Sequence, residues 1–249
     1  MPFREAEYAD LAPASQILGK AFKNDSFQGR YLHPQLAKYP DSLTRHYLRK
    51  LRSLWARMDA NEHKLFVSYR PSADGQSEEC LTGMASWSRR RAHPAPLTWS
   101  TAAWVKLTDV YNYIESYFLP DQALDPVRAN ILSRSWPYTK HHWTGSRAES
   151  WYLDLLAVDP AFEGQGIGRE LVAWGFERAK QDGVGTSCIA ASGRDRFYRA
   201  CGFDVQCGIA GDEGPDLKMR AELRSIGGGT IHFWDGGREP VGVKKYGEE

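Results

Sequence analysis

Apolar residues recur at intervals of three and four in two early stretches, 9–22 (ADLAPASQILGKAF) and 42–58 (SLTRHYLRKLRSLWARM). In the second, Leu43, Tyr47, Leu51, Leu54 and Met58 line one face, and this period predicts two helices. The period then shortens. KLFVSY (64–69) and ECLTGMASW (79–87) are strand-like runs on either side of PSADGQSE, whose Pro, Asp-Gly and Ser mark a loop, so the three together predict a hairpin. From 150 onward the pattern is a strand (WYLDLLAV, 151–158), a glycine turn, an amphipathic run over about 167–181, a strand (VGTSCIAA, 184–191), a short helix and a further strand. Such alternation places parallel strands with a crossover helix in an α/β sheet. Arg178 and Lys180 near the end of the long run, with Gly183 just beyond, supply the cations and left-handed cap of a helix C-terminus. GTIHFWD (229–235) is expected to join the same sheet.

Residues 92–149 break this rhythm. They open on prolines (HPAPLTW) and hold nine aromatic residues, among them Trp99, Trp136, Tyr138 and Trp143. Trp104, Leu107, Tyr111, Ile114 and Phe118 step by three and four, which predicts one helix with a rich apolar face. The segment reads as an insertion within a single domain of 249 residues, between an N-terminal half (1–91) and a second half (150–249). Its expected role is a lid or the lining of a substrate pocket, because grafted segments set specificity on a shared scaffold. A hydrophobic share of 42% is ample for a core.

Lys and Arg number 32 against 31 Asp and Glu, so no global field draws the chain to a nucleic acid or an anionic membrane. The opening MPFREAEYADLAPASQ has no apolar signal core, and nowhere do about 18 apolar residues run together. The expectation is a soluble cytoplasmic protein, with the nucleus left open. Cys80, Cys188, Cys201 and Cys207 have neither the spacing of a metal or redox motif nor the density of a disulfide framework, and no metal is expected.

The candidate chemistry centres on AVDPAFEGQGIGRELV (157–172). A strand that runs into a glycine-rich turn opening a helix offers unpaired N–H groups and a positive dipole end to an anion. A dinucleotide fingerprint fails because Arg169 stands where its third glycine belongs, and an ATP-type loop fails for want of the lysine and hydroxyl. The remaining pattern, [QR]xxGx[GA], reads as Glu163-Gly164-Gln165-Gly166-Ile167-Gly168, and ASGRDRFYRACGF (191–203) carries a Tyr-x-x-x-Gly-Phe as Tyr198, Gly202 and Phe203. The two motifs together resemble the GNAT superfamily of acyl-CoA-dependent N-acyltransferases. The likeness covers about 151–207 closely and does not extend across 92–149.

The resemblance implies a mixed, mostly antiparallel α/β sheet with one parallel pair at the cofactor site and helices on both faces. It implies acetyl-CoA as cosubstrate, with the pyrophosphate on Glu163 to Gly168 and Arg169, the pantetheine arm along Leu156, Ala157 and Val158, and Ser192 and Tyr198 completing the contacts. Tyr198 is the implied acid for the leaving thiolate. Family members carry Gln or Arg where this chain has Glu163, whose charge opposes a phosphate; Gln165 or Arg169 can offset it.

Asp154 is the one carboxylate in an apolar strand, where burial is costly unless paired or functional. Alternation sets it on the face of Tyr152, Leu156 and Val158, opposite Leu153, Leu155 and Ala157. There it can act as the base for an incoming amine or serve a structural salt bridge. Ser192-Gly193-Arg194-Asp195 reads as an N-cap with an acid at N3. His141 and His142 are expected to point apart on a solvated loop, and Ser88-Arg89-Arg90-Arg91 to form a solvated basic turn. No cysteine has a histidine partner nearby in sequence, so direct attack is favoured over a cysteine-bound intermediate. The expected activity is N-acetylation of a small-molecule or peptide amine. The alternatives are a module that binds acyl-CoA with little turnover, and an interaction scaffold working through 92–149.

Overall fold

The computed structural model describes residues 2–58, 62–71 and 79–248. The first half runs β1 (Phe3–Glu5), α1 (Leu11–Phe22), α2 (Ser42–Trp55), β2 (His63–Arg70) and β3 (Cys80–Arg90). Next come α3 (Trp99–Phe118) and α4 (Ile131–Thr139). The chain then forms β4 (Ser150–Val158), α5 (Ile167–Asp182), β5 (Gly185–Ala190), α6 (Asp195–Cys201), β6 (Val205–Ile209), α7 (Leu217–Ile226) and β7 (Thr230–Trp234). All seven strands join one sheet in the order β1-β2-β3-β4-β5-β7-β6. Every pairing is antiparallel except β4 with β5, the mixed α/β sheet expected. β2 and β3 form the expected hairpin, though its turn residues 72–78 lie outside the described residues.

Two apolar layers cover the sheet. On one face α1 and α2 bury Leu18, Leu43, Tyr47 and Leu51 against Leu65, Val67, Met84, Leu155 and Ala157. On the other, α5 buries Ile167, Leu171, Val172 and Phe176 against Phe66, Ala85, Trp87, Trp151 and Leu153. Trp87 is fully buried and reaches α5 because position 175 is glycine, where a Cβ would stand 2.3 Å from the indole. Its Nε1 donates to the Leu171 carbonyl at 3.3 Å. Helix and strand are thus locked at the element that opens on the glycine turn.

The helix predicted over 42–58 stops at Trp55, where the Ala56 N–H still reaches Arg52 but that of Arg57 tightens onto Leu54. Helix α3 exists, yet the face of Trp104, Leu107, Tyr111, Ile114 and Phe118 is exposed. That face touches α2 where Trp104 meets Trp55 and Tyr111 meets Arg52, and the buried contact is Asn112, whose side-chain amide donates to the Arg49 carbonyl and Ser53 Oγ. Glu115 adds ion pairs with Arg49 and Arg52. Among the described residues no helix is long and apolar enough to cross a membrane.

Strand β4 departs from alternation at one point. Leu153 faces Trp87 and Leu155 faces Ser86, consecutive residues of β3, so Asp154 is the extra residue of a β-bulge. The bulge reverses the facing of the next residues: Leu153 packs with α5 while Leu155 and Ala157 pack with α1 and α2, and Leu156 and Val158 turn toward α5. The expected grouping of Asp154 with Leu156 and Val158 is therefore incorrect, because a two-residue period does not survive an inserted residue. Asp154 stays with Tyr152, on the side of Ser88 and α2.

Candidate active site

β4 and β5 are paired only from Ser150–Gly185 to Leu153–Cys188. Beyond Leu153, β4 keeps β3 as a partner through Val158, and beyond Cys188, β5 keeps β7 through Ala190. The two strands part at the bulge, which leaves one edge of residues 154–158 without a strand partner among the described residues. An open edge of this kind accepts an extended polar chain by backbone bonding.

The open edge leads into the glycine turn. Gly164 and Gly166 have φ of +77° and +85°, the left-handed region that favours glycine, and a Cβ on either would meet nothing within 4 Å. Helix α5 begins at Ile167, and the Arg169 and Glu170 N–H groups both turn back to the Gly166 carbonyl. The N–H groups of Gln165, Gly166, Ile167 and Gly168 have no partner among the described residues. Unpaired donors, a helix N-terminus and open space fit a pyrophosphate. Glu163 is exposed beside them. A cation that the sequence reading missed also reaches the turn: Arg70, at the end of β2, donates to the Gln165 side-chain carbonyl and lies 5.2 Å from the centre of the Phe162 ring.

Gly168 also brings α6 close, since a Cβ there would stand 3.3 Å from the Phe197 ring. Tyr198, next along α6, packs into the apolar layer of the α5 face, with its ring 5.7 Å from Phe203 and 6.0 Å from His232. Burial raises its phenol above the ordinary tyrosine range, helped by Cys188 and Tyr152, so the group keeps its proton at neutral pH. The helix start differs from expectation. Arg194 occupies the N-cap with no side-chain bond, and Asp195 stands at the first helical position. The Asp195 carboxylate is drawn instead to the buried His232 Nε2, at 2.9 Å. Ser192 does not cap; it is exposed and lies against Gly227 and Gly228.

Across the parting, on the α2 side, Asp154 lies near Ser88, and its Oδ2 is buried without a hydrogen-bond partner. Burial raises its pKa, opposed by Ser88, Lys50, His63 and Arg90. Lys50 is exposed on α2, and the protein packed around it pushes its pKa down against the pull of Asp154. Tyr152 lies within electrostatic reach of Asp154 and Arg90, and it also acts on Tyr198. Tyr198 and Asp154 thus approach the parting from opposite faces of the sheet.

Two further expectations are overturned. Ser88 to Arg90 are strand residues paired with Tyr152, Trp151 and Ser150, and no solvated turn. Arg89 is nearly buried against Glu149 at 2.8 Å, and Arg90 is enclosed by aromatic rings, because the helices of 92–149 cover this end of the strand. His141 and His142 lie in a 3-10 turn over Lys140–Trp143, where the tight winding brings their rings to 4.0 Å. His141 is buried, with Nε2 3.2 Å from Glu213.

With Glu213 these histidines offer three ligand atoms within 4.8 Å of one another, as do His33, His46 and Asp121. In the latter group the Gln28 carbonyl fixes a proton on His33 Nδ1, and Asp121 is held below the usual carboxylate range by hydrogen bonds from both imidazoles. All four cysteines are free; burial raises Cys188 well above the usual thiol range, Cys201 to about 11, and Cys207 as well, which leaves these three poor nucleophiles.

Residues 136–205 match the sequence model of the acetyltransferase (GNAT) domain. No curated protein matches the sequence. The fold is similar to that of a histone acetyltransferase and related acetyltransferase from Corynebacterium glutamicum ATCC 13032, 17% identical over 96% of this chain and 97% of that one, with a TM-score of 0.52. An aminoglycoside 6'-N-acetyltransferase from Acinetobacter haemolyticus is 12% identical over 84% and 94%, with a TM-score of 0.43. A GNAT family acetyltransferase from Brucella melitensis, in complex with acetyl-CoA, is 18% identical over 86% and 90%, with a TM-score of 0.38. The family resemblance carried by the glycine turn and Tyr198 therefore has a domain match under it, and the GNAT fold extends through the sheet.

Proposed function

We propose that the protein is an acetyl-CoA-dependent N-acetyltransferase that acetylates a primary amine by direct attack while both substrates are bound. One observation carries this reading: the parting of β4 from β5 at the Asp154 bulge, which ends at a turn of unpaired N–H groups. The open edge of Leu156, Ala157 and Val158 suits a pantetheine arm, and Gln165 to Gly168 suit its pyrophosphate. Arg70 and Arg169 supply positive charge there.

The roles divide across the sheet. Asp154, facing α2, holds the incoming ammonium and takes its proton, directly or through water. The freed amine attacks the thioester carbonyl; a C–N bond forms as the C–S bond breaks, Tyr198, still protonated, delivers a proton to the sulfur, and the second proton lost by the nitrogen restores the phenol through water. A backbone N–H of the open edge steadies the oxyanion. Trp136 and Trp143, from residues 92–149, line the acceptor side over Tyr152.

Thiol release from acetyl-CoA with a panel of primary amines tests the reading. Turnover that depends on the amine supports it. The alternative readings, acyl-CoA binding without turnover and an interaction scaffold, release no thiol.

A further inference from the structure

The end of β3 carries three consecutive arginines, and two of them are paired: Arg89 with Glu149 and Arg91 with Glu62, each at 2.8 Å. Arg90 is different. Its guanidinium carbon lies 4.7 Å from the ring centre of Trp136, 4.8 Å from that of Trp143 and 4.7 Å from that of Tyr152. Three rings fix a flat cation and cover its faces. They satisfy none of its N–H donors. The Arg90 side chain makes no hydrogen bond or ion pair with any described residue, and its Nε is buried without a partner, while the residue as a whole stays partly open to solvent.

Lys50, on α2, lies within electrostatic reach of the same acid as Arg90 and is also without an ion pair among the described residues. The acid whose charge both feel is Asp154. Two cations without ion pairs around a single acid leave positive charge to be answered. A planar fork held by rings, with no acceptor for its donors among the described residues, matches a carboxylate in bidentate geometry.

We propose that Arg90 is the subsite for a carboxylate on the acceptor, with Lys50 beside it, so that the acetylated amine belongs to an amino acid. This rests on the acetyl-transfer reading above and narrows its substrate class. The Arg90 edge takes the carboxylate while Asp154 takes the ammonium of the same molecule. Charge complementarity then sets orientation as well as affinity.

The test compares free α-, β- and γ-amino acids with their own carboxamides as acceptors, by thiol release and by calorimetric titration into the coenzyme A complex. The expected result is a preference for an acid over its amide of roughly tenfold or more in kcat/KM. In Arg90→Met, which keeps a long side chain among the rings, that ratio falls to about one through the KM of the acid. Arg90→Lys retains part of the preference, and coenzyme A affinity, set at the distant glycine turn, reports folding. An acid bound by the parent and not by Arg90→Met supports the subsite even where no thiol is released, a result that sinks acetyl transfer alone. Equal handling of acids and amides by the parent, or an unchanged ratio in Arg90→Met, overturns the proposal.

Discussion

Arg70 and Gln165 meet across the glycine turn: the guanidinium at the end of β2 donates to the side-chain carbonyl of a residue 95 positions later. The contact brings a positive charge to the turn that also holds exposed Glu163, at the position where the resemblance calls for Gln or Arg. Arg70→Ala is expected to weaken coenzyme A binding several-fold at low salt, and Glu163→Gln to bind at least as tightly as the parent. Calorimetry at low and high ionic strength checks both, since each difference should shrink as salt rises. Weaker binding by Glu163→Gln would mean that the carboxylate has a positive role.

Gly166 has φ of +85° in open space, so a side chain there is strained by its backbone and also projects where a phosphate must approach. Gly166→Val is expected to cost about 1–2 kcal/mol of stability and to abolish coenzyme A binding. A melting curve and a titration separate the two effects. A variant that binds like the parent moves the phosphate site elsewhere.

Tyr198→Phe deletes one hydroxyl and keeps the ring against Phe203. Removal of a positioned acid lowers kcat by about 10²- to 10⁴-fold. Burial raises the phenol above its ordinary value, so it stays protonated through mildly alkaline pH, and the loss should be the same factor from mildly acidic to mildly alkaline conditions. If kcat stays within about twofold of the parent, the proton comes from water and Tyr198 is a packing residue.

The turn and the Tyr198 helix were legible because they are written locally: glycine spacing encodes left-handed backbone, and Tyr-x-x-x-Gly-Phe sits within one turn and cap. The surroundings of Asp154 were not. Its bulge exists only in the pairing of β4 with β3, and no periodicity within WYLDLLAV announces it. Arg70, Lys50 and Arg90 each come from the first half of the chain and face groups in the second, a distance that no local pattern spans. The histidine pair was misread because an extended chain was assumed where the backbone winds. Helix α7 did leave a signal, Asp216, whose carboxylate caps the Met219 N–H at 2.9 Å.

The base role proposed for Asp154 would tie activity to stability. Burial raises its pKa, so the native state holds this proton more tightly than the unfolded chain, and stability falls as pH rises from the unfolded value through the folded one. Asp154→Asn should therefore raise the melting temperature at neutral pH, and raise it less near the ordinary carboxylate pKa of about 4. The same variant should lose most of kcat/KM and the acid limb of its pH profile, a limb that in the parent lies above the ordinary carboxylate range. A melting temperature lowered at neutral pH would assign Asp154 to a structural ion pair.

His142 is held down to about 4 by burial, His141 and Arg147. The unfolded chain binds its proton first, so this contribution is intact above the ordinary histidine value of 6.5 and is lost as pH falls through the folded one. The loss across that window is on the order of 3 kcal/mol or less. His142→Gln should flatten the acid side of the stability curve between pH 6.5 and about 4, measured by urea titration. An unaltered slope would place the acid sensitivity in other groups.

The sheet order sets a schedule for assembly. β6 has one neighbour, β7, and β7 lies between it and β5 although it comes later in the chain than both. While a ribosome is still delivering residues 230–234, β5 presents a bare edge and β6 has nothing to join. A nascent chain that already holds the glycine turn and Tyr198 therefore cannot close its sheet, and this interval is when strand-to-strand aggregation and chaperone capture compete with folding.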